Sequence, residues 1–168
     1  MNLCKNEFMR RPIIILALGL TCLCAAFPAM ARTVTGGNGI TATVPDGWTA
    51  EHYDQPDGQI TLISPDKACL VSVQFTPDMG LESKEFSELF SQGMNGSMPE
   101  KISGQDMYSF EAVIGGMPLL AFTHAGEAGG FVFMVIGKAD NYASELRAIR
   151  GSLHSDDSTV QKMLDGLK

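Results

Sequence analysis

The residues able to do acid–base, nucleophilic or metal chemistry are few and far apart in this chain. Histidine occurs three times, as His52, His124 and His154, with no His-x-His or His-Glu-x-x-His spacing. A zinc site would need long-range convergence with carboxylates. His52 has Glu51, Asp54 and Asp57 near it in sequence, but a short acidic stretch reads first as a solvated loop. Hairpin pairing would set His124 across from Met107 and beside Glu111, where an ordinary surface or core histidine is the simpler reading. Cys69 shares its face with Val71, Val73 and Phe75, which predicts a buried, inert thiol. No Gly-x-Ser-x-Gly is present, and Gly93-Met94-Asn95-Gly96-Ser97 has no hydrolase context. The stretches Gly36–Gly39 and Gly126–Gly130 lack the lysine and spacing of a phosphate loop. Of the available carboxylates, Asp156-Asp157 and Glu82/Glu85/Glu88, the glutamates fall on a polar helix face where solvation suffices. Met79, Met94, Met98, Met107 and Met117 cluster in the middle of the chain. A copper site would want closely spaced Met or Met-His sets, which are absent, so core filling is the reading for them. No catalytic residue, cofactor or metal is expected.

The elements around these residues are legible from periodicity. Ile40 to Val44 alternates apolar and polar, then meets Pro45-Asp46-Gly47, a turn from which Trp48 returns inward. Gln55-Pro56-Asp57-Gly58 makes a second turn, and Ile60 and Leu62 mark a short strand. Cys69 to Thr76 is the clearest strand and ends at Pro77. The period then becomes helical. Phe86, Leu89, Phe90 and Met94 form one stripe, with Ser83 as the expected N-cap and Glu82 and Glu85 complementing the dipole. Tyr108 to Ile114 alternates again. Gly115-Gly116 predicts a two-residue hairpin turn that pairs Ile114 with Met117, Ala112 with Leu119, Phe110 with Ala121 and Tyr108 with Thr123. Gly126–Gly130 is expected to turn, and Phe131 to Ile136 reads as a central strand covered on both faces. Asp140 or Asn141 would start a helix carrying Tyr142, Leu146, Ile149 and Leu153. Val160, Met163, Leu164 and Leu167 mark a short amphipathic helix or a frayed end. The expectation is α+β: a single antiparallel sheet of about six strands with two main helices packed on it, in the order β-β-β-α-β-β-β-α.

Composition fixes the setting. The chain has 168 residues, 45% hydrophobic and 18% charged, the balance of an ordinary folded protein. Residues 1–31 read as a cleaved secretory signal peptide. Lys5, Arg10 and Arg11 give the positive start, Ile13 to Ala26 the apolar run, and Ala29-Met30-Ala31 the small residues before a cut at Ala31-Arg32. Met9 would serve as an alternative start to Met1. The apolar run falls short of the ~20 residues a span needs, so no stable membrane anchor is expected. Residues 32–39 then form an extended lead-in, 40–154 the domain and 155–168 a C-terminal tail. Without residues 1–31 the chain keeps 9 basic and 18 acidic residues, a net charge of −9. Such a surface repels phosphate backbones and argues against nucleic acid. Cys69 is then the sole cysteine, so the core alone must hold the fold.

Val44-Pro45-Asp46-Gly47-Trp48 closing the first strand, with Phe131–Ile136 leading into Tyr142, Leu146, Ile149 and Leu153, resembles the PsbP-like family over Ile40 to Leu153. That family takes in photosystem II extrinsic proteins, a yeast Ran-binding protein and DcrB-like bacterial envelope proteins. The resemblance implies a PsbP-like fold and a binding or assembly role without catalysis, and it carries over no site residue. The resulting expectation is a periplasmic or secreted, non-enzymatic protein. It would bind or support another envelope protein, as a monomer or weak homodimer, through the surface around Trp48, His52, Tyr53, Met94 and Met98. The alternative is a small-molecule or lipid-binding protein with a pocket between sheet and helices.

Overall fold

A computed structural model of the protein describes residues 32–52 and 58–168. The expected signal peptide, the Gln55–Asp57 part of the second turn, Asp54 and Tyr53 lie outside the described residues. Among those residues, nine strands and three α-helices follow one another. They are β1 (Arg32–Thr35), β2 (Thr41–Val44), β3 (Thr49–His52), β4 (Ile60–Ile63), β5 (Cys69–Thr76), α1 (Ser83–Gly93), β6 (Glu100–Lys101), β7 (Tyr108–Ile114), β8 (Met117–Gly126), β9 (Gly129–Gly137), α2 (Ala143–Ser152) and α3 (Ser158–Asp165). Seven strands form one antiparallel sheet in the order β3-β4-β5-β9-β8-β7-β6, while β1 and β2 form a separate ribbon. The fold is α+β, as expected, with a wider sheet.

The β7–β8 register is the one its turn dictates: Ile114 faces Met117 and Tyr108 faces Thr123. Gly115 and Gly116 have φ of 58° and 81°, the positive values a type I′ turn needs. Strand β9 lies at the centre and is buried along Gly129–Val135. Its alternate residues feed two cores. Phe131, Phe133 and Val135 join Val71, Val73 and Phe75 under α2 and α3, while Val132 and Met134 join Phe110, Leu119 and Ala121 under Phe86 of α1. Helices therefore cover both faces of the sheet.

Three expectations need correction, and one open alternative is decided. Ile40–Val44 does not join the main sheet, and residues 32–39 are more than a lead-in. β2 pairs with β1 on one edge, and its other edge is taken by the segment after α2, where the Thr41 amide donates to the His154 carbonyl at 2.7 Å and His154 returns the bond at 3.1 Å. With both edges occupied, the ribbon lies beside the helices instead of extending the sheet. Secondly, Gly126, Gly129 and Gly130 belong to strands, and the turn itself is Glu127-Ala128. A β-carbon on Gly130 would stand 2.3 Å from the Phe86 ring and 2.6 Å from Thr76 Oγ1, so glycine here is what lets α1 seat Phe86 on the sheet. Of the two readings of the last segment, residues 155–168, the short amphipathic helix is the one that forms, as α3. Asp157 caps α3 by accepting from the amides of Thr159 and Val160, and Val160, Met163 and Leu164 are buried. Finally, Glu82 and not Ser83 is the N-cap of α1, because the Ser83 hydroxyl is engaged elsewhere.

One corner joins three segments. Trp48, 5% exposed, meets the Tyr142 ring edge-on with centroids 5.3 Å apart. Asp66, in the β4–β5 turn, accepts from the Ala68 amide at 2.9 Å and from the Ser64 hydroxyl at 2.8 Å. Bonds from Ala68, from the Tyr142 hydroxyl and from Ser64 hold its carboxyl down at about 2.

Two predictions test this account. Gly130→Ala should destabilise by about 1–3 kcal/mol in urea unfolding through overpacking. Gly93→Ala, where a β-carbon meets nothing within 4 Å, should be neutral or stabilising by up to ~1 kcal/mol. The Asp66 carboxyl sits lower in the folded chain than its ordinary 3.8. Its stabilisation is complete above that value and is lost as pH falls toward about 2. Asp66→Asn should therefore flatten the acid limb of the stability–pH curve across that window; an unchanged limb would remove Asp66 from the account.

Candidate functional site

Of the residues singled out from sequence, the three whose side chains are described, Trp48, Met94 and Met98, lie in different settings. Trp48 is a core side chain on the Tyr142 corner. His52 ends β3, and its side chain, like all of Tyr53, lies outside the described residues. Met94 packs against the α1 core after the helix ends. Met98 stands in solvent, 80% exposed.

Apolar exposure gathers elsewhere. Seven large apolar side chains are exposed among the described residues, and four of them, Val113, Ile114, Met117 and Leu120, fall within eight positions at the β7–β8 turn. The register places Glu111, Leu120 and Val135 in one row across β7, β8 and β9. Val113 and Pro118 form the next row. Beside them the chain leaves β9 through Lys138 and enters a 3₁₀ turn at Ala139–Tyr142. Strand rows and turn enclose a hollow of about 880 Å³ that opens to solvent. The sequence carried this signal in Val113-Ile114-Gly115-Gly116-Met117-Pro118-Leu119-Leu120, a tip apolar on both strand faces where alternation would have placed polar residues on one.

A second cluster was not foreseen. Ser83, the first residue of α1, is buried against the end of β8. Its Oγ accepts from the Ala125 amide at 3.1 Å, and its one hydrogen lies between the Ala125 carbonyl and Asp106 Oδ2, each 2.9 Å away. His124 Nδ1 is 3.2 Å from the same oxygen. Serine, histidine and aspartate are thus in contact, yet the proton inventory is wrong for a nucleophile. Nδ1 also meets the Asp106 main-chain carbonyl. A carbonyl can only accept, so Nδ1 carries the hydrogen and cannot take one from Ser83. What the cluster does is bind α1 to β8. Ser87 and Ser91 continue the same buried face of α1. Ser91 Oγ donates to the Ser97 carbonyl at 2.6 Å, whereas Ser87 Oγ is buried without a partner.

Burial, with a smaller contribution from the Asp66 charge, pushes the Cys69 thiol up to about 11, so it stays protonated at neutral pH. No group of three His, Cys, Asp or Glu is placed to hold a metal ion among the described residues. No helix among them is long and apolar enough to cross a membrane.

No family model matches the chain, and no curated protein matches it. Among solved structures it is similar to the solution structure of cyanobacterial PsbP (CyanoP) from Synechocystis sp. PCC 6803. The identity is 14% and the TM-score 0.46, over 79% of this chain and 96% of that one. At this distance the likeness carries over no family membership and no residue's role.

The serine stripe supplies a test of the structural reading. Ser83→Ala should cost about 1–3 kcal/mol, since it removes a buried hydroxyl that serves both polar groups of Ala125. Ser87→Ala should leave stability unchanged or raise it by up to ~1 kcal/mol, because it deletes an unpaired buried oxygen. Equal losses at the two positions, read by urea unfolding, would contradict the assignment.

Proposed function

We propose that the chain is an exported, non-enzymatic binding or assembly protein of the bacterial envelope, which engages another protein through the apolar end of the β7–β8 hairpin. The signal-like residues 1–31 support export. The single observation that supports the binding surface is the concentration of Val113, Ile114, Met117 and Leu120 at one end of the fold, beside an open hollow. Isolated apolar side chains on a surface need no explanation, but here Val113 and Leu120 share the face that borders the hollow, and Ile114 and Met117 occupy the opposite face of the same tip. Its composition fits an interface core: apolar floor, with Glu111, Lys138 and Asp140 at the rim.

The hollow's volume falls in the range of small-molecule sites, but such sites bury most of their ligand's surface. A hollow this open would leave much of a small ligand in water, while a protein surface can close over it. The absence of catalysis is supported by the tautomer of His124 and by the buried, protonated state of Cys69.

A photo-crosslinking amino acid placed at Val113 or Leu120 in living cells tests the reading. The expected result is a discrete protein adduct from both positions and none from Lys84, which is exposed on α1. Val113→Asp with Leu120→Asp should abolish the adduct, and exposed substitutions of this kind should shift stability by no more than about 0.5 kcal/mol each. Adducts of equal yield from Lys84 and the hairpin end, or none from the latter, would reject the proposed surface.

A further inference from the structure

His124 has a second nitrogen, and it faces different company. Between the β7–β8 pair and α3 lies a hollow of about 410 Å³ lined by His124, Met107, Met163 and Gln105, with Thr159 and Lys162 on the α3 side. Met107, just before β7, is 2% exposed, and Met163 of α3 is 5% exposed. The point a β-carbon on Gly126 would occupy is 3.7 Å from the Met163 methyl and 3.8 Å from His124 Nε2. Thioether and imidazole therefore border the same space. The corresponding point at Gly166 lies 3.3 Å from the Met107 methyl and 3.8 Å from Gln105 Oε1. That amide oxygen is buried and has no hydrogen-bond partner.

The imidazole is set for coordination. In the neutral ring, with Nδ1 giving its hydrogen to the Asp106 carbonyl, the lone pair is on Nε2, and it is Nε2 that borders the hollow. Metal-binding histidines are held in this way, with the other ring N–H fixed on a carbonyl or carboxylate. Two thioethers, a neutral imidazole and an amide oxygen make a soft set of zero net charge. Thioethers select Cu(I), whereas calcium and magnesium want several oxygens and structural zinc wants thiolate or more imidazole. Lys162 is exposed and can keep its ammonium in water. The Asp106 carboxylate, 3.9 Å from Nδ1, supplies compensating negative charge.

We propose that Met107, His124 and Met163 form a binding site for a soft monovalent cation, Cu(I), with Gln105 Oε1 as a neighbouring oxygen. The site is separate from the hairpin end and does not depend on the protein-binding reading. Each methionine has three rotatable bonds and a polarisable sulfur, the freedom that coordination of a shared ion would draw on.

The test is titration of the whole protein with Ag(I), a redox-inert stand-in, and with Cu(I) under anaerobic conditions, following the methionine methyl signals by NMR. The expected result is saturation at one equivalent, with shifts at Met107 and Met163 and at the His124 ring before any at the exposed Met98 or Met79. Met107→Leu and Met163→Leu roughly conserve side-chain volume. Each should lower affinity about tenfold or more, as loss even of an outer-shell partner does. Met98→Leu should leave it unchanged. If a leucine variant loses its fold, the residue-resolved shifts in the parent protein still decide. Shifts that begin at Met98 or Met79, retention of parental affinity by a folded Met107→Leu/Met163→Leu double variant, or equal affinity for Zn(II) would overturn the site.

Discussion

The fold depends on a single requirement: β9 must be dry on both faces. Phe131, Phe133 and Val135 point one way, Val132 and Met134 the other, and all five are buried. An antiparallel sheet with helices on one side would leave one of those sets in water. At roughly 25 cal/mol per Å² of apolar surface, exposing either set would cost several kcal/mol, comparable to the whole stability of a domain this size. Two cover layers are therefore obligatory. α1 covers one face, drawn close by its buried serine face and by Gly130, where the Phe86 ring occupies the place of a side chain. α2, α3 and the β1–β2 ribbon cover the other.

That second cover is assembled from pieces distant in sequence, and each is tied down by polar bonds at its ends. The ribbon is fixed by the Thr41–His154 pairing and by the Thr43 amide, which donates to Ser152 Oγ at 2.9 Å. α2 and α3 are joined through Arg150, whose Nε donates to the Leu167 carbonyl at 3.0 Å while the guanidinium lies over the Phe122 ring. Neither cover reaches the β7–β8 turn. α1 ends before Met94, and α2 begins beyond the Ala139–Tyr142 turn. The long hairpin thus projects past its helices, and its apolar residues there meet solvent. The bare end is a consequence of element lengths, which is why it can serve as a surface without cost to the core.

Local signals in the sequence were sufficient for much of this. The Gly115-Gly116 turn carries its register in its length, and the alternation of Cys69–Thr76 and the continuous run Phe131–Ile136 identify their strands and burial. What escaped was pairing between remote segments. Arg32–Thr35 has no apolar alternation strong enough to announce a strand, and only the partner offered by Thr41–Val44 makes it one. Ser83 looked like a cap because serine before a helical stripe usually is one. Its hydroxyl instead met Ala125 and Asp106, which tertiary contact brought within reach. Gly126–Gly130 looked like a loop because glycine disfavours strands, yet two of these glycines are in the ladder to admit Phe75, Phe86 and Thr76. Of the Met107, His124 and Met163 set, the hairpin register already placed His124 across from Met107, while Met163 escaped for the same reason. No spacing rule links it to His124, 39 positions before it, and its arrival follows from the docking of α3.

One hydrogen bond separates the two chemistries that the His124 region could have held. With the Asp106 carbonyl as its partner, Nδ1 is a donor, and the adjacent Ser83 hydroxyl finds no base there. In the neutral ring the same bond leaves Nε2 as the acceptor, on the side of the hollow that Met107 and Met163 line. Removing Ser83 as a nucleophile and offering Nε2 as a ligand are thus one event, dictated by a main-chain carbonyl whose position is set by the turn before β7. A contact that reads as three catalytic residue types in a row is, by its proton inventory, a tether for α1.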